Sequence, residues 1–261
     1  MRTANRLASA VIILAASACS TVLEVPVETP IKPKLDVAAF SRVLVAGFVA
    51  GGTEDVDANL ETVRLLRNQL KNKSSLKVID ADVLPLKEVA ARNQAASPAG
   101  SADAGAGAAA AGPAVPKLIK DDRDLQAFDS LFTSVAYWKT VGDQFQSPLI
   151  VTGTVMFTPQ ATSGYVQREQ EVYDTFGRRQ VVPVRTYMER KGFILKPKFI
   201  FIDGRTGAVL YTETFREEVL YSAEQSSPAL STYFELMDRL VPAFLSTLSS
   251  QTIRGTRTLL K

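Results

Sequence analysis

The residues that carry chemistry in this chain are few, and what is missing narrows the choice. There is no histidine and a single cysteine, Cys19, among 261 residues. Serine–histidine and cysteine–histidine catalysis, histidine-ligated zinc and the commonest general base at neutral pH are thereby removed. Cys19 has no partner in the chain for a disulfide. What remains are fragments of motifs. Ser74-Ser75-Leu76-Lys77 has the S-x-x-K spacing of a lysine-activated serine, and Arg205-Thr206-Gly207 faintly matches K-T-G. The serine of that motif opens a helix, whereas Lys77 is expected in a strand that follows one, so coincidence is the better reading. Gly47 and Gly51-Gly52, between a strand and a helix, suggest a phosphate-cradling loop. Neither G-x-G-x-x-G nor a terminal G-K-[ST] is present, and a tight turn explains them. Asp80, Asp82, Asp121, Asp122 and Asp124 lack calcium-loop spacing and read as solvated loop ends and helix starts. Trp138, the sole tryptophan, reads with Tyr137 as core packing. No catalytic, cofactor or metal site is expected.

The one reactive group with a context is Cys19. It closes the stretch MRTANRLASAVIILAASAC, in which Arg2 and Arg6 precede an apolar core, Leu7 to Leu14, and a run of small residues. This is the layout of a signal peptide over residues 1–18. The apolar run is too short to cross a hydrocarbon core, which takes about 20 helical residues. Ala16-Ser17-Ala18-Cys19 resembles the bacterial lipobox, with Ala16 where leucine is usual. That resemblance implies cleavage before Cys19 and acylation of its sulfur and of its new amine. An ordinary A-x-A cleavage site also fits, and would leave an odd thiol on a secreted chain. The lipoprotein reading is preferred because the only cysteine stands where the reaction needs it. Three acyl chains exceed the two signals that stable anchoring requires. By the sorting rules of enteric bacteria, Ser20 in place of aspartate after the cysteine points to the outer membrane, with the chain facing the periplasm.

Elements must then position whatever the anchored chain presents. The formal charge of +3 falls to about +1 once Arg2 and Arg6 are removed, which gives no electrostatic case for nucleic acid. Residues 19–38, with Pro26, Pro30 and Pro33, read as a lipidated cysteine followed by an extended tether. Residues 39–250 read as a single domain, interrupted at 91–116 by an Ala-, Gly- and Pro-rich insertion with no apolar stripe. Residues 251–261 read as a tail. Arg42 to Val49 is a continuous apolar run, the mark of a strand buried on both faces. Glu54 to Asn72 has helical spacing, with Thr53 as N-cap. Leu76 to Asp80 is a second strand, a helical region runs from Leu125 to about Phe145, and Leu149 to Phe157 is a third, central strand. Residues 162–191 alternate around a turn at Asp174 to Gly177, as an exposed β-hairpin does. Phe193 to Ile202 and Ala208 to Glu217 pair through Asp203 to Gly207. Ser227-Pro228 starts a last helix with a stripe from Leu230 through Phe234, Met237, Val241 and Phe244 to Leu248, and Pro242 is expected to kink it. The fold class is α/β: a sandwich with a mixed sheet, β-α-β-α-β, then β-hairpins and a C-terminal helix.

This order resembles that of the curli secretion channel CsgG, the TolB amino-terminal domain and the LpoB-type activators of penicillin-binding proteins. The matching stretches are VLVAGF, LKVID, LIVTGTV and FIFIDGRTGAVLYTETF, with Gly153-Thr154-Val155 and the turn Asp203-Gly204-Arg205-Thr206-Gly207-Ala208-Val209. The resemblance covers most of residues 40–250. It implies a bacterial envelope lipoprotein that binds or assembles with a partner in secretion, transport or wall-synthesis control. The curli relative implies the alternative, an oligomeric secretion channel whose barrel is built from hairpins. On the strand from Tyr165 to Tyr173 neither face is cleanly apolar, as a lipid-facing strand would be, and a charge at the bilayer midplane costs roughly 2–4 kcal/mol. A periplasmic hairpin that contacts a partner, whether another envelope protein or a second copy, is therefore expected. Arg178, Arg179, Arg185, Arg190 and Lys191 crowd it, as a docking surface for acidic groups would. A solvated hairpin with Glu169, Glu171 and Glu189 as neighbours is the plainer account.

Overall fold

The structure, a computed structural model, describes residues 22–96, 119–173, 175–222, 225 and 227–260. The leader, Cys19 and most of the insertion lie outside them. The chain divides into two units: Lys34–Ser249, and a smaller one made from Met1–Pro33 with Ser250–Lys261. In the smaller unit β1 (Val22–Ile31) pairs antiparallel with β8 (Gln251–Leu260), from Val22 opposite Leu260 to Ile31 opposite Gln251. The stretch expected to be a tether is thus extended but paired, and the expected tail is its partner strand.

The larger unit follows β2 (Arg42–Gly52), α1 (Ala58–Lys73), β3 (Lys77–Ile79), α2 (Leu86–Ala96), α3 (Asp122–Gln126), α4 (Asp129–Phe132), α5 (Val135–Gln144), β4 (Leu149–Tyr173), β5 (Arg179–Asp203), β6 (Val209–Thr214), β7 (Glu217–Ser222) and α6 (Ala229–Leu248). The sheet order is β3-β2-β4-β5-β6, with β7 also on β5. β2 is parallel to β3 and β4, and the pairs made by β5 are antiparallel. This is the expected α/β sandwich with a mixed sheet.

Alternation along the strands builds two cores. Val43, Val45, Val151, Val155, Phe157, Phe199 and Phe201 face α1 and α6, around Leu66, Leu70, Tyr233, Leu236 and Phe244. Leu44, Ala46, Ile150, Met156, Ile200 and Ile202 face the other way, onto α2 to α5, around Phe128, Phe132 and Trp138. Trp138 is fully buried and its indole N–H donates to the Leu131 carbonyl at 3.0 Å. Tyr233 is equally buried and ties α6 to α1, its hydroxyl donating to the Ala58 carbonyl at 3.2 Å and meeting Thr62 Oγ1. Burial pushes the Tyr233 hydroxyl pKa well above the usual tyrosine value.

Several boundaries differ from the sequence reading. α1 starts at Ala58, not Glu54, because Asp57 caps it: its Oδ1 accepts the Leu60 N–H at 3.0 Å. Thr53 instead exchanges hydrogen bonds with Asp55. The helical region before β4 is broken into α3, α4 and α5. The helical turns of α2 carry past residue 91 to Ala96. On α6 the buried stripe is centred on Tyr233, Leu236, Leu240 and Phe244, leaving Leu230 exposed.

The strand expected over Ala208 to Glu217 is two strands, and Pro197 is the reason. β6 pairs with β5 as far as Lys198 opposite Thr214, and β7 resumes at Leu195 opposite Glu217. Between them Pro197 offers its carbonyl to Phe215 N–H at 2.9 Å but has no N–H to return.

Candidate functional site

The motif fragments that suggested chemistry resolve into local structure. Ser74 is the C-cap of α1, its N–H on the Leu70 carbonyl and its Oγ accepting from Leu76 N–H at 3.1 Å. Lys77 opens the short strand β3 and is exposed. Gly51, Gly52 and Thr53 line a cavity of ≈ 330 Å³ with Asp57 and Lys87. The Asp57 carboxylate caps the α1 N-terminus there, with Glu54 beside it, and these two negative charges disfavour an anion at that helix end. Gly52 has φ +100°, and a Cβ on it would meet the Phe157 carbonyl, which is why the turn takes glycine. Asp80 pairs with Lys71 and Asp122 with Lys196, each at 2.6 Å. Asp124 accepts the N–H groups of Lys120 and Asp121, which hold its carboxyl below the usual range. Among the described residues no group of His, Cys, Asp and Glu is arranged to hold a metal ion.

The two motifs that carry the family resemblance are also architectural. Gly153 has φ +143° and lies against the Lys198 carbonyl on the neighbouring strand. In the β5–β6 turn the Asp203 carboxylate accepts the Arg205 N–H at 2.9 Å and its Nε at 3.1 Å, while Arg205 covers the Phe40 ring at 4.9 Å. Gly207 closes the turn at φ +74°, its N–H on the Asp203 carbonyl at 2.7 Å.

The feature left without a structural role in either core is the hairpin formed by the outer halves of β4 and β5. Each strand is 25 residues long, and the pairing runs without a register shift from Leu149 opposite Asp203 to Tyr173 opposite Arg179. Burial ends near Phe157, and from Thr162 to Tyr173 every residue is exposed. At about 3.3 Å per residue this free arm is about 40 Å long. It carries its own contacts: Tyr165 meets Tyr187 edge to face at 5.4 Å, Arg179 pairs with Glu171, and Arg178 lies 5.5 Å over Phe176.

Pairing separates the hairpin residues in a way that one strand alone does not reveal. Opposed residues share a face. One face carries Tyr165, Gln167, Glu169, Glu171, Tyr173, Arg179, Val181, Pro183, Arg185, Tyr187, Glu189 and Lys191. The other carries Val166, Arg168, Gln170, Val172, Val182, Val184, Met188 and Arg190, with no carboxylate. The five cations expected to crowd into one surface are therefore divided. Arg179, Arg185 and Lys191 share the face with all three glutamates, Arg190 is on the valine face, and Arg178 is at the turn. Arg179 and Lys191 are paired with Glu171 and Glu189, while no ion pair to Arg185 or Arg190 is found among the described residues. The outer edges differ too. Pro183 interrupts the N–H row on β5, on the same side as Pro197, whereas the β4 edge beyond Pro159 has every donor. No helix among the described residues is long and apolar enough to cross a membrane.

No family model matches the chain, and no curated protein does. Solved structures similar to it include a PelC dodecamer from Paraburkholderia phytofirmans, at 15% identity and TM-score 0.38 over 88% of this chain and 100% of that one. A second PelC dodecamer from the same organism gives 14% and 0.36 over 88% and 99%. Lipoprotein GNA1162 from Neisseria meningitidis gives 12% identity and TM-score 0.34 over 78% of this chain and 98% of that one.

Proposed function

We propose that this chain is a lipid-anchored bacterial envelope protein that binds or assembles with a partner through its β4–β5 hairpin and catalyses no reaction. Acyl chains on Cys19 hold it at the outer membrane, facing the periplasm, and the confinement raises the effective concentration of its binding arm. The observation that carries the reading is the arm itself. A two-stranded ribbon exposed on both faces is marginal in water, and these side chains add nothing to either core. An arm kept under those conditions is best explained by something that covers it. The test is excision. Ala161 and Lys191 are directly paired, so residues 162–190 can be replaced by Asn-Gly, a two-residue turn that suits the strand twist. The shortened protein is expected to unfold at the same temperature as the full chain and to lose its co-purifying envelope partner or its self-association. Unchanged association would overturn the proposal. Mass spectrometry of the membrane-purified protein beside Cys19→Ala tests the anchor: a diacyl or triacyl mass supports it, and a free thiol removes it.

A second reading, an oligomeric channel, draws support from the valine face and from the arm's length, since a membrane-crossing strand takes about 9–11 residues. Against it stand Arg168 and Arg190 on that face and Pro183 on the edge that a neighbouring copy would extend. Size-exclusion in detergent separates the two: a large ring favours the channel, a small particle the tethered binder.

A further inference from the structure

The β1–β8 ribbon pairs Val22–Ile31 with Gln251–Leu260 and has two unlike faces. Directly opposed residues share a side, so among the side chains described Val25, Val27 and Ile31 fall on one face with Thr29, Gly255 and Arg257, the one charge among them. Glu24 and Glu28 fall on the other, with Arg254 paired to Glu28 at 2.9 Å among threonines and prolines. Exposure alternates as far as Glu28: Glu24, Pro26 and Glu28 are exposed and Val25 and Val27 between them are half-buried, while Thr29 and Ile31 are exposed. Within a two-stranded ribbon nothing can cover the apolar side, and such a ribbon is marginal without a cover.

We propose that this face seats on the phospholipid surface, at the boundary between headgroups and acyl chains. Three observations choose lipid. Cys19 stands three positions before Val22, so the first residue of the ribbon is held within about 11 Å, Cα to Cα, of the acylated cysteine. The lone charge on the face is an arginine, whose long stem lets its head reach anionic headgroups while the stem lies on apolar surface. A second copy is disfavoured as an added strand on the β1 edge, because Pro26 and Pro30 occupy positions whose N–H would point away from β8. The inference rests on the lipid anchor proposed above. The C-terminal strand then lies at the bilayer beside the N-terminal anchor.

Acylation consumes the thiol of Cys19, so an introduced cysteine is the only one free for spin labelling. The acylated full chain carrying Val27→Cys or Thr256→Cys is labelled and reconstituted in vesicles of phosphatidylethanolamine and phosphatidylglycerol. The label at position 27 is expected to be several-fold more accessible to oxygen, relative to an aqueous nickel chelate, than the label at position 256. Equal aqueous exposure at both positions overturns the seating. Shielding of position 27 from both reagents, with a doubled particle mass, overturns it in favour of a second copy. The acyl mass on Cys19, measured on the same sample, reports separately on the anchor. Val27→Glu is expected to abolish the oxygen preference of a label at Arg257→Cys while Trp138 emission stays unchanged; a preserved preference also counts against the proposal.

Discussion

Removing one oxygen atom from the core, by Tyr233→Phe, asks how the two helices on one side of the sheet are joined. The Tyr233 hydroxyl is fully buried, donates to the Ala58 carbonyl at 3.2 Å and meets Thr62 Oγ1. Thr62 also donates to that carbonyl, so phenylalanine strands no acceptor, and the ring keeps its edge contact with Phe157 at 5.2 Å. The cost is therefore that of one hydrogen bond, about 1 kcal/mol, rather than the roughly 3–5 kcal/mol of losing the ring. For a unit of this size that lowers the melting temperature by about 2–4 °C. Thr62→Val alone should cost a similar amount, and the double substitution less than the sum, with a coupling of at least about 0.5 kcal/mol. Urea titration followed by Trp138 emission is the assay, and it has a second use. Trp138 lies in the other core, across the sheet, so a midpoint that moves with Tyr233 means that both layers unfold together. Additivity within about 0.3 kcal/mol would refute the shared network, and an unmoved Trp138 transition would refute the single cooperative unit. The same residue predicts a pH response. Its folded pKa is raised above the unfolded value of about 10, so the folded state holds the proton more tightly. Its stability is complete below about pH 10 and is lost as pH rises from there. Tyr233→Phe should flatten that alkaline decline.

Three further substitutions test the packing beneath the hairpin and one helix cap. Gly153→Ala places a Cβ 1.8 Å from the Lys198 carbonyl at φ +143°, and should cost about 3 kcal/mol or more by thermal unfolding. Phe199→Ala removes a ring buried against Phe48 at 5.8 Å and Phe244 at 4.9 Å, and should cost about 3–5 kcal/mol by urea titration. Asp124→Asn removes a carboxylate whose pKa is depressed by two backbone N–H groups. The stability it confers is present above the unfolded pKa and is lost as pH falls through the lower folded one, so the variant should show a smaller stability loss on acid titration.

The parts legible in the sequence were those where one strand or one helix is its own evidence. Arg42 to Val49 and Leu149 to Phe157 are buried on both faces, and a continuous apolar run says so. The hairpin turn and the β5–β6 turn carried their own residues, Gly177 and Gly207. The parts that stayed hidden depend on partners distant in sequence. Val22 to Ile31 alternates in the manner of a strand, but its prolines suggested a tether, and its partner is the other end of the chain. The break between β6 and β7 is written not in those strands but in Pro197, on the strand they share. The division of the hairpin cations needed the pairing of Tyr165 with Tyr187, because a face is a property of two strands. Arg179 and Arg190 are close in sequence and lie on opposite sides.

Because β4 and β5 pass from the sheet into the arm without a slip in register, odd and even keep their meaning along the whole length. The odd-numbered side that carries Val151, Val155, Phe199 and Phe201 onto α1 and α6 is the side that becomes tyrosines and glutamates. The even-numbered side that carries Ile150, Ile200 and Ile202 onto the other helices becomes the side of Val166, Val172, Val182 and Val184. The arm therefore enters the sheet with no break in pairing at its base. Whatever strain reaches that base, from a turn about 40 Å out, meets the same paired strands that hold Phe199. The strands that a partner would grip at the tip are, at their other end, the strands that both helical layers pack on.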